Sequence, residues 1–190
     1  MIAGHFGFAA AVKSRTPQIP IWALMLACQW MDVVFIPLFA LGIEKIVPLE
    51  GTRPGGYGTG VIYADYTHSL VGALVLSAVY GIAAGIPWGR RNGLVLGAVV
   101  FSHWVLDFFT HRQDMPWLPA NAGGFPRLGL GLWRYPVATA MVEAGIVLAG
   151  AGLYWGAALR AAPGSRRAHL AGALALVFGL LTLGLNVAGM

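Results

Sequence analysis

Three ionisable side chains recur every four residues within one apolar segment: His103, Asp107 and His111. A four-residue step returns to nearly the same face of an α-helix, so these side chains form one polar stripe about 12 Å long. Imidazole nitrogens and carboxylate oxygens bind zinc-like ions, and they also transfer protons. Such groups are costly inside a bilayer, so the stripe predicts a functional site. The alternative is a His–Asp hydrogen bond that only joins helices.

Further acids and histidines are expected near this stripe. At about 1.5 Å of rise per residue, Asp32, His103 and Glu143 all lie roughly 12–16 Å below the outer ends of their predicted spans. His68 lies near the outer surface, one turn beyond Asp65. We predict Asp32, His68, His103 and Asp107 as ligands of one divalent ion, and Asp65, His111 and Glu143 as acid–base groups. Asp65 can also be read as a cap of the following helix.

Three arginines of the outer loops, Arg112, Arg127 and Arg134, are predicted to bind a phosphate group of the substrate. Guanidinium groups pair well with phosphate oxygens in a two-pronged geometry. The alternative is that these side chains reach the lipid headgroups and bind no substrate.

The composition indicates a membrane protein. Of the 190 residues, 58% are hydrophobic and only 10% are charged, whereas soluble domains carry about 25% charged residues. We therefore predict an all-α integral membrane protein whose residues 1–190 form a single helical domain. We interpret the formal charge of +5 as loop charges that set membrane orientation rather than as a nucleic-acid surface.

Five apolar segments are long enough to span a bilayer, for which about 20 residues are needed. The N-terminal segment 2–12 is shorter, and it predicts a half-membrane or interfacial helix. A loop rich in glycine and proline runs from residue 48 to 60. The five predicted spans are residues 19–43, 66–87, 92–111, 135–157 and 169–189.

The loop charges predict the orientation. One side of the membrane receives seven basic residues and no acidic one, whereas the other side carries mixed charges. The purely basic side is expected to be cytoplasmic. The predicted site then faces the extracytoplasmic side of a bacterial-type inner (plasma) membrane.

Four short elements resemble, in their order along the chain, those of the YdjM-like family, inner-membrane proteins predicted to be metal-dependent hydrolases. The resemblance runs from the N-terminus to just beyond Asp107, and it implies a bound divalent ion, hydrolysis, and His5 as an additional metal ligand. The chain departs from the family pattern at Trp30 and Tyr63. The four elements are Gly4-His5, Met31-Asp32, Thr67-His68-Ser69, and His103 with Asp107.

The predicted function is hydrolysis of a lipid or lipid-linked ester or phosphoester in the outer half of the bilayer. The expected cofactor is a divalent metal ion, zinc first and manganese or iron as alternatives. The expected partners are membrane lipids and the lipid substrate, and no nucleic acid. Two other functions remain open at this point: a proton- or metal-coupled transporter that uses the intramembrane Asp, Glu and His side chains, and a haem-binding electron carrier.

Overall fold

A computed structural model describes residues 1–51 and 56–189 and shows a helical bundle with one small β-hairpin at one end. The predicted helical architecture is confirmed. Residues 52–55 of the predicted loop 48–60 lie outside the described residues. The elements are α1 (Ile2–Lys13), α2 (Ile21–Cys28), α3 (Trp30–Ala40), β1 (Lys45–Pro48), β2 (Gly60–Tyr63), α4 (Leu70–Trp88), α5 (Arg90–Thr110), α6 (Pro136–Ala161) and α7 (Arg166–Ala188).

Four helices, α4 to α7, are long and apolar enough to cross a membrane. The segment predicted as the first span is bent by 49° between α2 and α3, and it makes a fifth span if this pair counts as one. The bend lies at Gln29, whose backbone leaves the helical region (φ −111°, ψ 6°). The side chain of Gln29 donates a hydrogen bond to the carbonyl of Ile2, so the bend is fixed against α1.

The N-terminal helix α1, for which the sequence predicts a half-membrane or interfacial helix, packs against α2, α5, α6 and α7. Two glycines allow this close packing. A Cβ atom on Gly150 would collide with the carbonyl of Gly7, and one on Gly7 would collide with the backbone of Ile146. The close contact of α1 with α6 brings His5 into the interior of the bundle, where it is 1% exposed.

The strands β1 and β2 form an antiparallel hairpin in which Ile46 pairs with Ile62. The sequence predicts no strands here, because four residues are too few to show a reliable alternation. The chain between β2 and α4 is held by the loop that follows α5. The backbone N–H groups of Leu70 and Val71 donate to the carbonyls of Pro116 and Trp117, which satisfies free donors at the start of α4.

Candidate metal centre

The predicted stripe on α5 is present, and it faces the interior of the bundle. His103 and Asp107 are 0% and 2% exposed, and His111 follows the last helical residue. The two oxygens of Asp107 contact different histidines. Oδ2 lies 3.0 Å from His103 Nε2 and 3.6 Å from His111 Nε2, whereas Oδ1 lies 3.1 Å from Nε2 of His5. Asp107 is therefore the centre of the cluster.

The bend between α2 and α3 orients His103. The Cys28 carbonyl, at the end of α2, accepts a hydrogen bond of 2.7 Å from Nδ1 of His103. A carbonyl oxygen can only accept, so Nδ1 carries the proton and Nε2 points into the cluster. This anchoring of the outer imidazole nitrogen is typical of metal-binding histidines.

His68 is held by a turn that immediately precedes α4. The Ser69 hydroxyl caps this helix by accepting a hydrogen bond from the backbone N–H of Gly72. Gly72 is required there, because a Cβ atom would collide with the carbonyl of Tyr66. Trp104 of α5 donates its indole N–H to the carbonyl of His68. The turn is thus fixed to both α4 and α5.

A buried carboxylate orients the ring of His68 through a threonine. Glu44 accepts hydrogen bonds of 2.8 Å from the backbone N–H groups of Tyr66 and Thr67. The Thr67 hydroxyl donates to the same carboxylate, at 2.9 Å from Oε2, and lies 2.9 Å from His68 Nδ1. Because the hydroxyl hydrogen is used on Glu44, the oxygen accepts from Nδ1–H of His68. Nε2 of His68 therefore carries a lone pair.

Burial lowers the pKa of His68 to about 4, although nearby Asp32 favours the charged form. The imidazole is therefore neutral at pH 7, which is the form that binds metal ions. Its Nε2 lies 3.3 Å from Nε2 of His103 and 3.6 Å from Asp32 Oδ1. Asp32, on α3, also lies 3.6 Å from Nε2 of His103.

At the centre of the cluster, the Nε2 atoms of His68 and His103 face each other at 3.3 Å, and both lie near Oδ2 of Asp107. Nε2 of His103 faces both a carboxylate oxygen of Asp107 and the lone pair of His68. A single proton on His103 can satisfy one of these neighbours but not both. A metal ion satisfies all of them together. The donor set thus fits a divalent cation.

Two sets of three residues each bring their ligand atoms within 4.8 Å of one another. The sets share His103. The first combines it with His5 and Asp107, and the second with Asp32 and His68. The five residues predicted from the sequence as metal ligands therefore meet in one cluster, whose nitrogen and oxygen donors could bind a metal ion.

His111 belongs to the same cluster, and its outer nitrogen is anchored as well. Nδ1 donates to Oδ1 of Asp114 at 3.0 Å. Burial opposes its charge, but the hydrogen bonds to Asp107 and Asp114 raise the pKa of His111 to about 9. The ring lies on the indole of Trp133, with 4.2 Å between ring centroids. His111 is therefore a protonated group directly beside the candidate ligands.

The other predicted site residues lie apart from this cluster. Asp65 forms a two-pronged ion pair with Arg127, at 2.6 and 3.0 Å, and the hydrogen bond raises the pKa of Arg127 further. Arg112 donates to the carbonyl of Gly58, and Arg134 is exposed. The contacts of Asp65, Arg112 and Arg127 stabilise the loops at this end of the bundle. Glu143 is fully buried against α1, where its Oε2 accepts from the backbone N–H of Gly4.

Three supporting residues were not assigned a role from the sequence. Asp114 follows His111 by three residues, a spacing that could have revealed it. Glu44 and Thr67 gave no comparable signal, because Glu44 reaches His68 across 24 sequence positions only through the fold.

An open cavity of about 440 Å³ adjoins the cluster. Asp32, His68, Asp107 and His111 line it on one side. Apolar side chains of α3 and of the β-hairpin form another wall, and residues of the outer loops and of α7 complete it. The apolar wall includes Phe35, Ile36, Ile46 and Ile62.

Comparisons of the chain with protein-family models, with curated proteins and with solved structures found no match. The resemblance to the YdjM-like family therefore stays a prediction.

Proposed function

We propose that the protein is a membrane-embedded, metal-dependent hydrolase that acts on a lipid or lipid-linked ester or phosphoester. One observation carries the proposal: the buried Nε2 atoms of His68 and His103 converge with the carboxylates of Asp32 and Asp107, and the lone pair of His68 Nε2 faces Nε2 of His103. A divalent cation is the occupant that satisfies this arrangement. When bound, it supplies Lewis-acid activation of water and polarises the ester oxygen.

The protein's own residues supply the proton transfer. His111 lies beside the candidate ligands, and Asp114 holds its ring through Nδ1. A histidine that is oriented by a carboxylate at one nitrogen can exchange a proton at the other. In this proposal Nε2 of His111 gives its proton to the leaving oxygen and then accepts one from water. Asp114 fixes the tautomer and the orientation.

The cavity supports a lipid substrate. Its polar side carries the cluster, whereas Phe35, Ile36 and Ile46 offer an apolar surface for an acyl chain. Ile36 is 63% exposed and Ile46 is 44% exposed. Side chains so exposed at the outer end of an apolar bundle suit contact with lipid. We further propose that the cluster faces the extracytoplasmic side of an inner membrane, because the opposite loops are purely basic.

Transport is less well supported. A proton or metal pathway needs polar groups that continue from the cluster to the other membrane face. The core of the bundle between His103 and the α4–α5 turn is built from apolar side chains such as Leu24, Leu96 and Val100. A haem is disfavoured too, because His68 and His103 are only 3.3 Å apart at Nε2, which leaves no space for a porphyrin between them.

The first test is the metal content of the protein, purified in detergent, by elemental analysis. We expect near-stoichiometric zinc, manganese or iron in the wild type and its loss in His103→Gln. His169→Gln is the matched control, because His169 is exposed at the start of α7. A wild type that holds no metal even after reconstitution with divalent ions would contradict the proposal. Metal-containing protein is then tested for release of products from lipid esters and phosphoesters.

A further inference from the structure

The cavity beside the metal cluster reaches the flank of the bundle. Its lining includes Ile2 of α1 and Ile36 of α3, which are 42% and 63% exposed. Asp32 lies one turn before Ile36 on the same face of α3. It lines the cavity too, and its side chain is 38% exposed. A candidate metal ligand is therefore accessible from the side of the bundle that carries Ile36.

This opening extends inward along the bundle as far as Ile2. The neighbouring Gly4 donates its backbone N–H to Glu143, which lies about two turns, or about 10 Å, into α6. The carbonyl of Ile2 accepts a hydrogen bond from Gln29, at the bend between α2 and α3. Both contacts place Ile2 among helices that are apolar enough to cross a membrane, and not at their ends.

The helices α3 and α7 border the opening from opposite sides. α3 packs mainly on α2 and α5, whereas α7 packs mainly on α1 and α6. Phe35 and Ile36 of α3 and Asn186 of α7 line the same cavity. Within α3, all of whose residues are described, only Met31 is buried. The face of α3 toward the cavity is therefore left for an occupant from outside the fold.

The wall of the cavity at the loops is packed more tightly. Gly58 and Trp133 both line this wall. A Cβ atom on Gly58 would collide with the carbonyl of Trp133, and the guanidinium of Arg112 donates two hydrogen bonds to the carbonyl of Gly58. Among the described residues, the flank with Ile2 and Ile36 is therefore a more open side of the cavity than this wall.

We propose that the cavity opens sideways into the bilayer between α3 and α7, and that an acyl chain of a bilayer lipid enters through this opening. Exposed apolar side chains continue from the opening along both helices. Such side chains are costly against water and suit contact with hydrocarbon. They are Val33 and Phe39 on α3, and Leu185 and Val187 on α7.

Sideways entry defines the source of the substrate. An acyl chain that moves from the bilayer into the cavity never crosses water, so it keeps its apolar surroundings throughout. The inference rests on the proposed function only for the reaction at the cluster. It adds that the substrate is a lipid taken directly from the membrane, and not an ester dissolved in water.

The test follows an acyl chain into the cavity. The full chain is placed in nanodiscs that contain a phosphatidylcholine with a photoreactive diazirine at the end of one acyl chain. After irradiation, the labelled residues are located by mass spectrometry of the peptides. We expect label on Phe35 and Ile62, two partly buried residues that line the cavity. Label on Ile82 of α4, which is 72% exposed, measures contact with bulk lipid and serves as the reference.

Ile36→Trp should remove most of the label on Ile62, because the larger side chain narrows the opening. Ile86→Trp is the matched control. Ile86 is 85% exposed on α4 and does not line the cavity, so this variant should keep the label on Ile62. Thermal unfolding of both variants verifies that the fold is retained.

Four outcomes overturn the inference. Two of them are a wild type without label on Phe35 and Ile62, and equal label on Ile62 in both tryptophan variants. The third is label from a water-soluble, short-chain analogue alone, which shows entry from water. The fourth is cross-linking of two copies through α3, because a second chain then covers the opening. All four leave the proposed hydrolase standing, whereas a protein that takes up the lipid but holds no metal would refute only the hydrolase.

Discussion

Thr67→Val tests whether the hydrogen bonds from Glu44 through Thr67 to His68, here called the carboxylate relay, orient His68 for metal binding. The substitution removes the hydroxyl that lies 2.9 Å from both His68 Nδ1 and Glu44 Oε2. Glu44 keeps its two backbone donors at 2.8 Å, so the main loss falls on His68. Its Nδ1–H is left without its acceptor, and the ring is free to rotate or to change tautomer.

The expected effect follows from this loss. Removing an outer hydrogen bond of a metal-binding histidine weakens metal affinity by about 10- to 100-fold, which corresponds to about 1.4–2.8 kcal/mol. Affinity is measured by competition with a chromophoric chelator in detergent. Thr67→Ser keeps the hydroxyl, so its affinity should stay within about threefold of the wild type.

Thr182→Val provides a second control, because the Thr182 hydroxyl bonds within the exposed face of α7. Thermal unfolding of each metal-free variant separates a loss of fold from a loss of affinity. Equal affinities of Thr67→Val and Thr67→Ser would refute the relay, even if the metal centre itself is real.

Three other perturbations test the centre and the helix packing that builds it. Asp107→Asn should abolish stoichiometric metal binding in elemental analysis, because this carboxylate contacts histidines through both oxygens; retained metal would place the ion elsewhere. The pKa of His111 is raised to about 9 from an ordinary 6.5, so its protonated ring stabilises the folded, metal-free protein. This contribution to the free energy of unfolding is complete below pH 6.5 and should be lost as the pH rises to 9. Asp114→Asn should flatten the fall in denaturation curves, and an unchanged slope would exclude His111 as its source. Gly150→Ala should lower the free energy of unfolding by about 1–3 kcal/mol, whereas Gly152→Ala, which meets open space, should not; equal stability would refute the close packing of α1 on α6.

The spacing of residues predicted the part of the centre that a single helix supplies. His103, Asp107 and His111 follow the helical period, so their common face could be read from the sequence. Depth estimates then placed Asp32 near His103, which the 3.6 Å contact agrees with. Both inferences need only a rise per residue and the ends of the spans.

The supporting contacts could not be predicted in the same way, because they depend on how separate segments meet. The carbonyl of Cys28 reaches His103 only because the chain bends at Gln29, and an apolar run predicts no bend. Asp65 was interpreted as an acid–base group because it precedes His68 by three residues. The structure pairs it with Arg127, a residue 62 positions later.

The arrangement of hydrogen bonds also argues against a purely structural role for the cluster. Buried polar groups that serve stability normally find their partners within the fold. Here the outer nitrogens of His68, His103 and His111 each have such a partner, whereas their inner Nε2 atoms converge on Asp107. The fold thus fixes the orientation of the three rings from outside and brings their inner nitrogens to one carboxylate. Apolar side chains of similar volume would avoid the cost of burying these groups, so the cluster favours the proposed metal site over a purely structural role.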